Sequence, residues 1–215
     1  MPPGDPAPPV TAALAVVATT GEVLDHPALH EGLLAPWERR RLDRIRVPDR
    51  RDDVLAARLL LRLCVARFTG LPPGDAGPDQ FCDSCRRHGH GRPYLDGRPG
   101  TGVSLSHADG LAAAAVGPGP LGVDVEPATR RPGPLPVLRR LLPGAETVAA
   151  AAGPDRDGAL LRLWVRGEAR FKAGGGPGLR LLEWTDRDRA AVAAVAATGP
   201  VTVIASGDPA SAPPR

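Results

Sequence analysis

Gly122-Val123-Asp124-Val125-Glu126 is the stretch of this chain that most constrains its fold. Successive side chains of a strand point to opposite faces, so Asp124 and Glu126 share one face and the valines share the other. The apolar flanks predict a strand that runs into a core and leaves two carboxylates at its wall. Such a pair needs a positive partner. A hard divalent cation, Mg²⁺ or Mn²⁺, would provide one; solvent or arginine at a strand end is the alternative.

A second segment, residues 164–173, predicts a helix that ends at a run of glycines. Glu168 and Lys172 are four residues apart and therefore lie on one helix face. An ordinary surface ion pair would explain them. Lys172, however, is the only lysine among 27 basic residues. This bias indicates that arginine does not suit the position, because a compact ammonium serves a phosphate group or a proton donor better than a planar guanidinium does.

Two similar series of elements follow each other along the chain. Periodicity and turn residues predict the first series as a strand at 10–19, helices at 36–46 and 52–68, and strands at 102–106 and 111–116. The second series has a strand at 121–125, helices at 135–142, 145–151 and 159–173, and strands at 190–197 and 201–205. The alanine-rich 190–197 segment is also compatible with a helix. Residues 1–9 and 207–215 are rich in Pro, Ala and Gly and are predicted to be disordered.

The composition excludes several classes of function. At 215 residues and a formal charge of +3, the chain can bury a substantial core. Its basic groups concentrate at 39–67, which suits a phosphate-rich ligand or an acidic protein, and three Trp, one Tyr and three Phe offer few platforms for nucleic acid. We therefore expect no nucleic-acid partner. No membrane span or signal peptide is visible, so we expect a cytoplasmic protein.

Three cysteines, Cys64, Cys82 and Cys85, are too few for a disulfide framework. Cys82-x2-Cys85-x2-His88-x-His90 has ligand types that zinc could use, with all four ligands within nine residues. A plain arginine-rich loop is the alternative.

Several motifs together resemble a known family. They are the arginine-rich 50–62 segment, Gly91-Arg92-Pro93-Tyr94-Leu95, Val103-Ser104-Leu105-Ser106-His107, the 122–126 strand, the 164–173 helix and Gly178-Leu179. In order and spacing these segments look like the motifs of 4′-phosphopantetheinyl transferases of the surfactin-synthetase-activating (Sfp) type. The resemblance covers about residues 34–180.

The resemblance implies an α/β (α+β) fold of two similar lobes that form a single-chain pseudo-dimer, with lobes at 10–118 and 119–206. It implies a monomer with its ligand cleft between the lobes. The expected reaction moves the phosphopantetheine arm of coenzyme A onto a serine of an acyl or peptidyl carrier protein, with Mg²⁺ as cofactor. Fatty-acid, polyketide and nonribosomal peptide synthesis are the pathways left open.

The resemblance also carries residue roles. Asp124, Glu126 and Glu168 correspond to the metal-binding acids, with Glu168 also the general base, and Lys172 corresponds to the contact with the pyrophosphate. The expected contacts with coenzyme A are Arg58, Arg62, Arg92, Pro93, Ser106, His107 and Lys172. For the two helix arginines a solvated face is the alternative, and Glu146 is either a further acid near the metal or a surface carboxylate.

Two positions depart from the family pattern. Gly167 precedes Glu168 where a lysine is usual, and Arg166 is a candidate replacement. Asp53 stands where an arginine is common, with Arg50, Arg51 and Arg58 as candidate replacements. Two other functions compete with transfer: a non-catalytic protein that binds coenzyme A or a carrier, and an unrelated Mg²⁺-dependent phosphohydrolase.

Overall fold

A computed structural model of the chain describes residues 12–82, 84–142 and 144–205. The predicted disordered ends, 1–9 and 207–215, and the first two residues of the strand predicted at 10–19, lie outside these ranges. The described residues form a mixed α/β fold with six α-helices, one 3-10 helix and nine strands in three sheets.

The elements lie close to the predicted ones. The strands are β1 Ala13–Thr19, β2 Phe81–Cys82, β3 Arg87–His88, β4 Thr101–Ala108, β5 Leu111–Pro118, β6 Leu121–Pro127, β7 Arg180–Asp186, β8 Ala191–Ala197 and β9 Val201–Ala205. The helices are α1 Thr20–Leu24, α2 Pro36–Leu42, α3 Pro48–Thr69, α4 Leu135–Leu141, α5 Gly144–Ala152 and α6 Arg156–Lys172, and the 3-10 helix is Glu31–Leu33.

The first sheet has the strand order β4-β5-β1-β9. β1 is antiparallel to β5 and parallel to β9, with Ala13 opposite Val201. The last strand of the described chain therefore pairs with the first. Helix α3 packs on one face of this sheet, where Leu60 and Leu61 are fully buried with Val16.

The local sequence explains where α3 begins and ends. Pro48 occupies the first turn, where its missing N–H costs nothing. Gly70 ends the helix in a left-handed conformation with φ of 75°.

The second large sheet has the order β6-β8-β7, all antiparallel. Helix α6 packs on its outer face through Leu161, Val165 and Ala169. The alanine-rich segment predicted at 190–197 is a strand, β8, and every residue of it is buried. Alanine suits this position because the strand has α6 on one face and the other sheet on the opposite face.

The two sheets pack face to face and complete four layers: helix, sheet, sheet, helix. Ala15 and Val17 of β1 contact the layer formed by Val123, Val125 and Ala193. Most of the facing positions on β1, β5 and β8 are alanine, which lets the two sheets approach closely.

The sequence prediction did not include helix α1, the 3-10 helix, the β2–β3 hairpin or strand β7. Strand β7 is half-exposed at a sheet edge, so its apolar alternation is weak. The hairpin strands have only two residues each, too few for a periodic signal. None of the described helices combines the length and the apolar character needed to cross a membrane.

Candidate functional site

A cavity of about 790 Å³ opens where the edges of the two large sheets meet. Strand β4 is one edge strand of the first sheet, and β6 is one edge strand of the second. Of the site residues that the resemblance implies, Arg62 and the candidate acid Glu146 do not line the cavity, and the others do. The residues that line it are Arg58, Arg92, Pro93, Ser106, His107, Asp124, Glu126, Glu168 and Lys172.

The pleat of β6 directs its two acids toward helix α6. Asp124 and Glu126 lie opposite Ala194 and Val192 of β8, which belong to the face under α6. Both acids are buried. Gly122 lets the helix sit directly on the strand, because a Cβ at this position would lie 2.0 Å from the carbonyl oxygen of Ala169.

Lys172 joins the two sheets at this point. Its Nζ donates to Asp124 Oδ1 at 2.7 Å, to Ser106 Oγ at 3.0 Å and to the Val123 carbonyl at 3.1 Å. Ser106 Oγ also donates to Asp124 Oδ1, at 2.7 Å. The ammonium thus uses all three of its protons on acceptors arranged around it, which a planar guanidinium cannot do in the same space.

The other two acids are less fully neutralised. Burial raises the pKa of Glu126, and the charge of Asp124 raises it further, against the opposing effect of Arg130 at 2.8 Å. Burial likewise raises the pKa of Glu168, with Asp124 adding to the effect and Lys172 opposing it. The cavity therefore disfavours ionised carboxylates unless a further cation enters it.

One orphaned atom fits such a cation. Asp124 Oδ2 is buried and has no hydrogen-bond partner. An unpartnered carboxylate oxygen beside two incompletely neutralised acids is a donor set that suits a hard divalent ion. The oxygens of the three carboxylates do not form a close cluster. Among the described residues, closely spaced ligand atoms are found at Cys82, Cys85 and His90. Binding of an ion by the acids would require side-chain rotation.

The cavity lining also includes an arginine and a histidine, Arg58 and His107. Arg58 donates to Glu38 at 2.9 Å, is almost fully buried, and leaves its Nε without a partner. Part of His107 is open to solvent, yet desolvation by the cavity walls lowers its pKa, with Asp53 opposing and Lys172 reinforcing this shift. This shift favours the neutral form of the ring.

Arg62 lies away from the cavity. It is 2% exposed, pairs with Glu38 and donates to the Leu33 carbonyl at 3.1 Å. Arg62 therefore neither lines the cavity, as a ligand contact would, nor lies on a solvated helix face, which was the alternative. Glu38, which is fully buried between Arg58 and Arg62, was missed because nothing in the local sequence distinguishes it from a surface acid of a helix.

The two departures from the family pattern have structural explanations. Asp53 accepts hydrogen bonds from the Thr20 hydroxyl and the Gly110 amide, so it ties α3 to the turn between β4 and β5. Gly167 packs against Leu142, whose methyl carbon would lie 2.7 Å from a Cβ there. Arg166 and Glu146 pair with each other at 3.7 Å, and neither lines the cavity.

The β2–β3 hairpin brings three of the four candidate zinc ligands together: Cys82 in β2, Cys85 in the turn and His90 just after β3. The ligand atoms of Cys82, Cys85 and His90 lie within 4.8 Å of one another. His88 lies elsewhere, with its Nδ1 3.0 Å from Asp79 Oδ1. Hydrogen bonds from the Cys85 backbone, from His90 and from the Cys85 side chain lower the pKa of Cys82 to about 6.

The cavity lining also includes Arg41, Gln80 and Trp164, for which the sequence predicted no role. The basic 39–67 stretch was the only sequence signal for Arg41, and Gln80 had none. A side-chain hydrogen bond with Trp164 slightly opposes the rise in the pKa of Glu126 that burial causes. No protein-family model matches the chain, and no curated protein matches it in sequence.

Proposed function

We propose that this protein is a 4′-phosphopantetheinyl transferase of the surfactin-synthetase-activating type. The observation that carries the proposal is the composition of one cavity. Three acids, a lysine, a Ser-His pair and an Arg-Pro pair from four separated segments line it together. The same segments carry the family resemblance, in the same order along the chain.

We further propose that the two large sheets, each with its helix, are the lobes of a pseudo-dimer, at 10–118 and 119–206. The protein would then be a monomer. Each large sheet carries one long helix on its outer face, α3 or α6, which supports this division. The pairing of β9 with β1 would then link the lobes by an exchanged strand.

The proposed reaction is phosphoryl transfer. The serine hydroxyl oxygen of an acyl or peptidyl carrier protein forms a bond to the phosphorus that bears the pantetheine arm of coenzyme A. The bond from that phosphorus to adenosine 3′,5′-bisphosphate breaks, and the serine proton passes to Glu168. A carboxylate whose pKa is raised by burial is a stronger base than an exposed one, which supports this role for Glu168.

The remaining residues position charge. Lys172 and Arg92 would neutralise the phosphates, and His107 would hydrogen-bond them beside the edge of β4. Ser106 would do the same after its hydroxyl turns away from Asp124 Oδ1. Arg58 lines the cavity, its buried Nε has no hydrogen-bond partner, and it would serve an additional phosphate. Arg62 has no part in this proposal because it is buried against Glu38 and Leu33 and does not line the cavity.

Asp124, Glu126 and Glu168 would hold Mg²⁺ or Mn²⁺. When bound, such an ion neutralises charge on the pyrophosphate. The orphaned Asp124 Oδ2 and the raised pKa values of both glutamates support this assignment.

Intact-mass spectrometry tests the proposal. Apo carrier protein incubated with the purified chain, coenzyme A and Mg²⁺ should gain the mass of one phosphopantetheine arm. Reactions without enzyme, or with the carrier serine changed to alanine, should gain nothing. Binding of coenzyme A without transfer to several fatty-acid, polyketide and peptide-synthesis carriers would favour the non-catalytic alternative. Release of free phosphate from coenzyme A would favour the phosphohydrolase.

A further inference from the structure

We propose that Cys82, Cys85 and His90 bind a zinc ion that fixes the β2–β3 loop beside the cavity. This site is separate from the acidic site and does not depend on the activity proposed above. It takes a soft or borderline metal, since two thiolates and an imidazole prefer zinc to the hard cations that carboxylates bind.

The spacing of the three ligand atoms fits one ion. All three lie within 4.8 Å of one another, and Cys85 Sγ lies 3.4 Å from His90 Nδ1. A tetrahedral zinc with Zn–S of about 2.3 Å and Zn–N of about 2.0 Å separates a sulfur from a nitrogen by about 3.5 Å. The ligands therefore need little movement. Three protein ligands leave the fourth position of the ion for solvent.

The backbone explains how ligands so close in sequence converge. The hairpin pairs Phe81 with His88, and the Arg86 amide donates to the Cys82 carbonyl at 2.8 Å, which closes a tight turn after the first ligand. Left-handed conformations at Arg86 and Gly89, with φ of 54° and 78°, then reverse the chain. His90 consequently returns to the two cysteines.

The structure also distinguishes the two histidines. His88 Nδ1 is engaged by Asp79, and its ring stacks on Trp37 with centroids 6.0 Å apart. The His90 ring faces Cys85. A conventional four-ligand motif would use both histidines, whereas this fold makes only His90 a ligand.

The loop leads directly into the cavity wall. Gln80 Nε2 donates to the Gly91 carbonyl at 2.6 Å, and Arg41 donates to the Gly89 carbonyl. Gly91, Arg92 and Pro93 line the cavity immediately after His90. A zinc ion would thus hold one end of the segment that presents Arg92.

Metal content measured on the full chain tests the site. Protein purified under reducing conditions and equilibrated with zinc should retain about one zinc ion per chain by elemental mass spectrometry. Cobalt titration should give the visible absorption of a tetrahedral ion and near-ultraviolet thiolate charge transfer. Cys82→Ser, Cys85→Ser and His90→Gln should each weaken zinc binding by more than about 100-fold in a chelator competition.

His88→Gln is the matched control, because it removes a neighbouring histidine from the same hairpin. It should keep zinc affinity within about threefold of wild type. Circular dichroism checks that each variant is folded, and the cobalt spectrum of the wild type does not depend on any variant. Chelation should also speed trypsin cleavage after Arg86 and Arg87.

Three results would overturn the site: wild-type protein with free Cys82 and Cys85 thiols that binds no zinc, octahedral cobalt without thiolate charge transfer, or zinc loss in His88→Gln with retention in His90→Gln. A Cys82–Cys85 disulfide in protein kept under reducing conditions would also contradict it.

Discussion

The Lys172 ammonium illustrates how one residue can have a structural and a chemical reason to be lysine. It holds Asp124, Ser106 and the Val123 carbonyl, and so joins the edges of two sheets. In the proposed function it also faces the phosphates. Three acceptors around one atom suit the three protons of an ammonium.

We expect Lys172→Arg to lower turnover at least about tenfold while coenzyme A affinity changes less, because the guanidinium keeps the charge but displaces Asp124. Steady-state rates of carrier modification and calorimetric titration with coenzyme A measure the two effects. Arg170→Lys, an exposed exchange in the same helix, is the control and should be neutral. Wild-type turnover in Lys172→Arg would show that the lone lysine has no special role.

Glu168→Gln separates a base from a structural residue. The amide keeps the shape and a neutral oxygen, so coenzyme A should still bind while turnover falls by about 10² to 10⁴. Thermal stability of the metal-free protein should not fall at pH 7, because burial and Asp124 already disfavour the ionised carboxylate. Full activity of this variant would contradict the assignment of Glu168 as the base.

At the scale of elements, the site depends on the packing of α6 on β6. Glycine at position 122 allows this approach, which brings Lys172 within reach of Asp124. The hydroxyls of β4 complete the seam, where Ser104 Oγ accepts from the Val123 amide at 3.0 Å. Side chains rather than a backbone ladder join these two sheet edges.

We expect Gly122→Ala to lower the free energy of unfolding by about 1–3 kcal/mol, because the added methyl group overlaps the backbone of α6. Urea denaturation measures the change. The control is Gly21→Ala in α1, where a Cβ meets nothing within 4 Å and a gain of up to about 1 kcal/mol is expected. Equal stability of Gly122→Ala and wild type would mean that α6 does not rest on β6 as described.

At the scale of the whole molecule, distant parts of the chain close on each other. Strand β9 pairs with β1, and Arg189, just before β8, holds Glu22 of α1 through two hydrogen bonds at 2.6 and 2.7 Å. These contacts join the beginning of the described chain to its end. The hydrogen bond from Arg189 is the main cause that lowers the pKa of Glu22 to about 2.

Glu22→Gln tests that closure through its pH dependence. A lowered pKa means that the carboxylate stabilises the fold fully above its ordinary value of 4.5 and loses this contribution as the pH falls toward 2. We expect a cost of up to about 1 kcal/mol at pH 7, since the pair is partly exposed. The amide oxygen of glutamine can keep the capping bond to Thr19, so the substitution removes the charge and one of the two hydrogen bonds from Arg189.

Urea denaturation of both proteins at pH 7, 5 and 3 measures this difference, which should stay constant from pH 7 to 5 and shrink at pH 3. A difference that grows as the pH falls would have the wrong sign and would exclude the ion pair as its cause.

The local features of the molecule were predictable from its sequence. Periodicity is a property of neighbouring residues, and it predicted the β6 strand, the shared face of Asp124 and Glu126, and the helix that carries Glu168 and Lys172. The spacing of cysteines and histidines at 82–90 also indicated residues that could bind zinc. Short or half-exposed elements such as β2, β3 and β7 left too few periodic residues to be recognised.

Contacts between side chains that are distant in sequence depend on the tertiary structure. The partners of Arg62, the separation of His88 from His90, the pairing of β9 with β1 and the contact of Lys172 with Ser106 all join residues from different elements. Such contacts follow from how helices and sheets pack, and packing depends on the shape and volume of the whole core. A local pattern carries no information about which buried acid will neutralise a given arginine.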